Sequence, residues 1–382
     1  MTTGRLAAAA AMLALALARP AAAQTLLDFS ADEVARIAAH GPWPPKPTPD
    51  ASNRIEKSRA AVALGRELFF DARLSADGRF ACASCHVPAL AFQDGRRVAL
   101  SRTGAVRNTP TLLNAGALRW LGWDGAHDSL WSASLAPLLS ADEMGHDLAT
   151  LAATVRAQHG WGGRWPRVFG RGLPDDPQAL AVDVAKLLAA YQATLVSPRT
   201  AFDDFRDALL RGDRRAAARY PLAAQRGLRL FVGAARCHVC HAGPAFSNGE
   251  FADVGVPFFV AGGVDPGRHG GLQKLQASAM NRLGPFNDAG AQADPRAVTT
   301  RHVLPQHRHF GEFRVPGLRE LPATAPYMHD GSLATIEDVV RHYSELDEER
   351  LHADGERILR RLDLSAVQAA DLAAFLRTLA RR

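Results

Sequence analysis

The chain has little sulfur: among 382 residues there are four cysteines and five methionines, and every cysteine falls in one of two short runs. No cysteine is left over to build a disulfide framework. Long apolar runs are missing too. Beyond a short N-terminal stretch, nothing approaches the roughly 18 consecutive apolar residues that a bilayer span needs. Charge of one sign is nowhere concentrated. The 45 Lys and Arg and the 39 Asp and Glu are intermixed, and a formal net charge of +6 without a basic block gives nucleic-acid binding no support. Alternating strand patterns are scarce. What remains, 47% hydrophobic and 22% charged residues, is a globular composition, with length enough for two domains.

The N-terminus reads as an export signal. Arg5 supplies the positive charge, residues 6–17 are an Ala/Leu/Met run, and Ala21-Ala22-Ala23 before Gln24 forms a small-residue cleavage site. The expected mature chain starts near Gln24 and is periplasmic, with no membrane span.

The cysteines carry the chemistry. They lie in Cys82-Ala83-Ser84-Cys85-His86 and Cys237-His238-Val239-Cys240-His241. Two thiols three residues apart on one helical turn can add to the two vinyl groups of a single porphyrin, and the following His lies beneath the iron as its ligand. A lone C-x-x-C-H is compatible with a redox dithiol or half a zinc site. Two copies behind an export signal point to two covalently attached c-type haems.

The halves around these runs echo one another. Gly65-x-x-Leu68-Phe69 precedes Cys82, and Pro88-Ala89-Leu90-Ala91-Phe92 follows His86; Gly227-x-x-Leu230-Phe231 precedes Cys237, and Pro244-Ala245-Phe246 follows His241. Helical spacing places Ala61, Leu64, Gly65 and Leu68 on one face, and Leu372, Phe375, Leu376 and Leu379 on another. Ser365 is a cap for the last helix. The expected fold class is all-α, two tandem c-type cytochrome domains with long loops. The expected organisation is a signal peptide over 1–23, an N-terminal arm over 24–55, a first cytochrome domain over 56–205 and a second over 206–382. Residues 41–49, rich in proline, read as an extended arm over the surface. Residues 247–315 read as long loops. His302, His307 and His309 cluster in this polar region and read as a solvated surface.

Further motifs complete the pattern: Arg107-Asn108-Thr109-Pro110-Thr111-Leu112-Leu113-Asn114, Trp123-Asp124-Gly125, Pro137 with Glu143-Met144, and Thr324-Ala325-Pro326-Tyr327-Met328-His329-Asp330-Gly331. From about Ala61 to the C-terminus the chain resembles the bacterial di-haem cytochrome c peroxidases and their MauG-type relatives. The resemblance implies an oxidoreductase acting on hydrogen peroxide. His86 would then serve the peroxide-binding haem and His241 the electron-transfer haem. Trp123 would carry electrons between them, with Glu143 and Pro137 in the catalytic set. It also implies a calcium ion between the haems, with oxygen ligands mapping onto Asn108, Thr324 and Pro326, groups suited to a hard cation. Glu143 suits proton transfer to and from peroxide if desolvation raises its pKa.

Departures from the peroxidase pattern sharpen this reading. The peroxidases carry a distal His after the first haem motif; here no His lies between His86 and His127, and Arg102 occupies that loop, so the first iron is expected to be open. At the register position where the peroxidases place a Met and the MauG type a Tyr, this chain has Tyr343. Thr335 and Asp338 form a capping-box-like start, and Ile336, Val339, Val340 and Tyr343 follow on one helix face. That stripe alone fits a core tyrosine as well as a haem ligand; the register favours ligation. A phenolate stabilises oxidised iron, whereas a thioether raises the potential, so Tyr343 favours a highly oxidised state shared by both haems. Ala133 stands where the family commonly has a distal Gln. The expected donor is a partner protein, with a small cytochrome or cupredoxin as the alternative. A non-catalytic electron carrier, with Met144 as a possible sixth ligand, is the rival from another class.

Overall fold

Two glycines at matching points of the internal repeat set the helix crossings around which the chain is built. The computed structural model describes residues 25–260, 263–355 and 358–381; the expected signal peptide lies outside them. Gly65 sits on the Arg59–Phe70 helix, where an added Cβ would stand 1.9 Å from the Leu187 carbonyl oxygen on the Pro177–Gln192 helix. Gly227 sits on the Leu222–Val232 helix, where a Cβ would stand 1.9 Å from the Asp371 carbonyl oxygen on the Ala366–Arg377 helix. Each helix pair approaches backbone to backbone, which only glycine permits.

Each crossing is the heart of a separate core. The first gathers Ala61, Leu64, Leu68 and Phe69 with Trp131, Leu135 and the inner side of the Pro177–Gln192 helix. The second gathers Leu228, Phe231 and Phe246 with Leu372, Phe375 and Leu379. Both amphipathic faces read from the sequence are therefore the buried ones, and Ser365 caps the last helix, accepting from Gln368 N. The fold is all-α, two cytochrome-like halves in tandem. Strand is confined, among the described residues, to two-residue antiparallel ladders, Phe251–Ala252 with Phe313–Arg314 and Phe259–Val260 with Gly263–Val264. No described helix is long and apolar enough to cross a membrane.

Three segments depart from the sequence expectation. The N-terminal arm is not simply laid over the surface. It opens with the Ala31–Ala38 helix, capped by a Ser30/Glu33 box, whose Ile37 enters the second core. Trp43 in the proline-rich stretch is buried, donates from Nε1 to Ser197 O at 2.9 Å and lies 3.7 Å beneath the Arg319 guanidinium. Aromatic burial and a cation over the ring outweigh the solvation that proline-rich backbone prefers. The Ala201–Leu210 helix runs through the expected 205/206 boundary, and its Phe202, Phe205 and Ala208 all pack in the second core.

Residues 247–315 are more than loop, for they contain the Gly267–Ala277 and Ala297–His302 helices. Beyond the first of these the chain straps back over the first domain. Buried Arg282 pairs with Asp50 at 2.8 Å and Asp294 at 2.7 Å, and Lys186 pairs with Asp288 at 2.7 Å. Polar residues here read as solvated because their partners lie far away in sequence. Each buried cation meets a carboxylate on another segment, Asp50 for Arg282 and Asp288 for Lys186, as burial demands.

Candidate active site

Cys82–Cys85 form one helical turn, and His86 follows with Nδ1 donating to Phe92 O at 3.0 Å. The second site repeats this. Cys237–Val239 form a tight turn, and His241 Nδ1 donates to Phe246 O at 3.0 Å. In both, the acceptor is a phenylalanine held in the left-handed region, with φ of 59° at Phe92 and 56° at Phe246. A strained backbone at the same place in both repeats aims a carbonyl at the histidine. That bond fixes the proton on Nδ1 and leaves Nε2 free to bind a metal. Burial lowers the pKa of both rings, which keeps them neutral and able to ligate.

Burial pushes the Cys82 and Cys237 thiols up to about 12 and that of Cys85 up to about 11. A redox C-x-x-C lowers a thiol pKa to make a thiolate; these go the other way.

Glu143 follows the Leu130–Leu139 helix, on a turn where its N–H donates to Ser140 O at 3.1 Å. Pro137, near that helix's end, accepts from Met144 N at 3.1 Å, and so bends the chain that carries Glu143. The Glu143 carboxyl remains solvent-accessible, yet the protein around it lifts its pKa above the usual carboxylate range, with Asp142 adding to the rise. Its charge adds to the rise in pKa at both Cys82 and Cys85, so it acts on the Cys82–Cys85 turn. Arg102 fastens this turn. Its N–H donates to Asp142 O and its Nε to Glu143 O, both at 2.8 Å, while Nη1 pairs with Asp77 at 2.7 Å. The rival ligand Met144 is buried in the first core, and Ala133 packs at its edge.

The second site opens on an apolar cavity of about 450 Å³. Cys237, Cys240, His241 and Tyr343 line it together. The Thr335/Asp338 capping box forms as read, and Ile336, Val339, Val340 and Tyr343 all face the cavity from the Ile336–Ser344 helix. Burial, with the nearby Cys237 and Cys240 thiols, raises the Tyr343 pKa. No hydrogen bond engages its hydroxyl among the described residues, so the oxygen is available to a metal.

Trp123, Asn108, Thr324 and Pro326 lie on the wall of the same cavity. The Trp123 indole donates from Nε1 to Asn108 O at 2.8 Å. Asn108 Nδ2 donates to Arg96 O at 2.7 Å and its backbone N–H donates to His329 O at 2.7 Å, while no hydrogen-bond donor engages its Oδ1 among the described residues. No described donor reaches the carbonyl oxygens of Thr324 or Pro326 either, and Gln93 holds their loop by donating from Nε2 to Ala323 O and Ala325 O. Free oxygens on one wall fit a hard cation.

Sequence reasoning missed two neighbours. Arg314 is buried on this wall, donating from Nε to Gly122 O at 3.1 Å and from its backbone to Trp123 O at 2.8 Å, with its guanidinium 5.8 Å from the Trp123 ring. No carboxylate pairs with it among the described residues, and burial lowers its pKa to about 10. An unpaired buried cation lining a cofactor-sized cavity fits a haem propionate. His329 is buried and stacked 3.4 Å from Phe313, and burial lowers its pKa to about 4. The short Phe251 ladder that carries Arg314 gives no periodic signal in the sequence. Of the histidines read as solvated, His309 is buried, whereas His302 and His307 are exposed.

The comparisons with known proteins agree with this geometry. The family model for di-haem cytochrome c peroxidases matches residues 59–214. The methylamine utilization protein MauG of Methylophilus methylotrophus is 32% identical over 334 residues, covering 86% of this chain and 84% of that protein. The cytochrome-c peroxidase IdrP1 of Denitromonas iodatirespirans is 34% identical over 308 residues, covering 80% and 77%. A crystal structure of a MauG-like protein associated with microbial copper homeostasis superposes with a TM-score of 0.65 at 28% identity, covering 90% of this chain and 96% of that one. Two C-x-x-C-H turns built alike, and relatives matching most of the chain's length, lead to one conclusion: the chain belongs to the di-haem cytochrome c peroxidase family, a peroxidase-type haem oxidoreductase with two haems.

Proposed function

We propose that the chain is a periplasmic enzyme of the MauG type, which takes hydrogen peroxide at an open first haem on Cys82, Cys85 and His86 and oxidises a partner protein by way of the second, on Cys237, Cys240 and His241. The observation that carries this is Tyr343. It shares the second cavity with His241, and its hydroxyl has no hydrogen-bond partner among the described residues. Bound haem iron supplies the peroxide chemistry and stores the oxidising equivalents. The chain's own groups do the rest. The Glu143 carboxylate would take a proton from one peroxide oxygen and give it to the other, which departs as water; the remaining oxygen leaves as a second water with two protons from solvent and two electrons. The two electrons this requires come from the external donor, and the Trp123 indole, held by Asn108 O, relays charge between the two halves. The Tyr343 oxygen would hold the second iron as a phenolate, a hard anion that favours oxidised iron. Asn108 Oδ1 and the carbonyls of Thr324 and Pro326 would hold calcium beside this relay.

A conventional peroxidase drawing electrons from a small cytochrome or cupredoxin is the second reading, supported by the relatives that bear that name. Stoichiometric peroxide added to the fully ferric protein separates the two. Optical and Mössbauer spectra showing both irons oxidised above ferric, without prior reduction, support the MauG-type reading. A protein inert until one electron is supplied is a reductively activated peroxidase.

A further inference from the structure

Far from the haem ligands, two turns meet at the surface. His307, on the His307–His309 turn, lies against His352 and Asp354 on a turn closed by Gly355 N donating to His352 O at 3.0 Å. One ligand atom from each of the three lies within 4.8 Å of the others. His307 Nδ1 and Asp354 Oδ2 are 2.9 Å apart, and the His307 and His352 rings are 5.1 Å apart.

We propose that His307, His352 and Asp354 bind a divalent transition ion of the zinc or copper type, and that the ion braces the chain covering Tyr343. Two imidazoles and one carboxylate are the donor set such borderline ions prefer, with water completing the coordination. Calcium and magnesium, which prefer all-oxygen shells, are disfavoured. The turn is already organised: Asp253 Oδ2 accepts from His352 N at 2.7 Å. The ion takes the place of the proton shared by His307 and Asp354. The long bond that His352 Nδ1 accepts from Asp354 N, at 3.2 Å, is the local contact that yields.

Both turns lead into segments that line the second cavity. Beyond His309 the chain enters the Phe313–Arg314 strand beside Trp123. Beyond Asp354 it returns to line the cavity at Leu359 and Leu362, where Leu362 N donates to Tyr343 O at 3.3 Å and Asp363 N donates to Ser344 O at 3.0 Å. A metal cross-link between the turns restricts opening of that returning segment.

Equilibrium dialysis of the calcium-saturated holoenzyme against zinc, with metal analysis, is the test. The wild type should take up one zinc that His307→Ala and Asp354→Asn each lose, with haem content and resting spectra unchanged. Zinc should also slow hydrogen exchange at the Leu362 and Asp363 amides severalfold in the wild type alone. Equal zinc uptake by wild type and variants, or none by the wild type, overturns the site. Zinc uptake lost in the variants without slowed exchange in the wild type overturns the brace.

Discussion

The Arg102 guanidinium donates from Nε to the backbone carbonyl of Glu143 at 2.8 Å, and so holds the turn that carries this acid without neutralising its carboxyl. Arg102 spends its charge on Asp77 instead. The Glu143 carboxyl therefore keeps a pKa raised by its surroundings and by Asp142. This arrangement separates positioning from proton transfer.

Replacing Glu143 by Gln should preserve both haems and slow the peroxide reaction by about 10²–10⁴-fold, the usual worth of a positioned acid–base group. The wild-type rate should rise with pH through a pKa above the ordinary carboxylate range, because the basic form must accept the first proton. Glu143→Gln should lose that rising limb. Arg102→Ala should slow the reaction less and keep the limb. Stopped-flow measurements across pH read all three, and an unchanged profile in Glu143→Gln would assign the proton to another group.

Tyr343→Met should convert the second haem toward the peroxidase pattern. A thioether in place of a phenolate favours ferrous iron, so the potential of that haem should rise while the first stays put. Spectroelectrochemical titration measures both. An unchanged second potential would remove Tyr343 from the iron.

How far the site was legible in the sequence depended on locality. The two C-x-x-C-H turns and the Tyr343 stripe each lie within a few consecutive residues, and their spacing carries their local geometry, whereas the roles expected of Glu143 and Tyr343 came from the family resemblance. The capping box at Thr335 is local in the same sense. Arg314 and Trp43 were not legible, because their partners, Gly122 for one and Ser197 with Arg319 for the other, are distant in sequence. The 247–315 stretch was misjudged for the same reason: Arg282 is polar by composition, but the distant carboxylate of Asp50 helps it to be buried.

The repeat glycines offer a stability test independent of the haem chemistry. Gly65→Ala and Gly227→Ala would each force a methyl group to within 1.9 Å of a carbonyl oxygen on the facing helix. Each should cost about 3 kcal/mol or more, since backbone cannot yield as a side chain does. Gly160→Ala, where nothing lies within 4 Å of the new Cβ, should change stability by less than about 0.5 kcal/mol. Urea unfolding compares them. Equal midpoints for all three would mean that the helix pairs do not cross so closely.

His40 makes the second half sensitive to acid. Its ring is buried, stacked 4.5 Å from Phe246 and bonded through Nδ1 to Gly243 O at 3.1 Å. Burial is the main cause that lowers its pKa from 6.5 to about 4, and the groups facing it, His238, His241 and Arg319, oppose protonation further. Between these two values the unfolded chain binds a proton that the folded chain refuses, so stability falls as pH drops through that window and the loss is complete below about 4. The full effect is on the order of 3 kcal/mol. His40→Phe keeps an aromatic ring against Phe246 and cannot titrate. Its urea midpoint should fall less than that of the wild type between neutral pH and the lower edge of the window. If both proteins lost the same stability, His40 would not be held neutral, and the Ala31–Ala38 helix would be docked on the second core by other contacts alone.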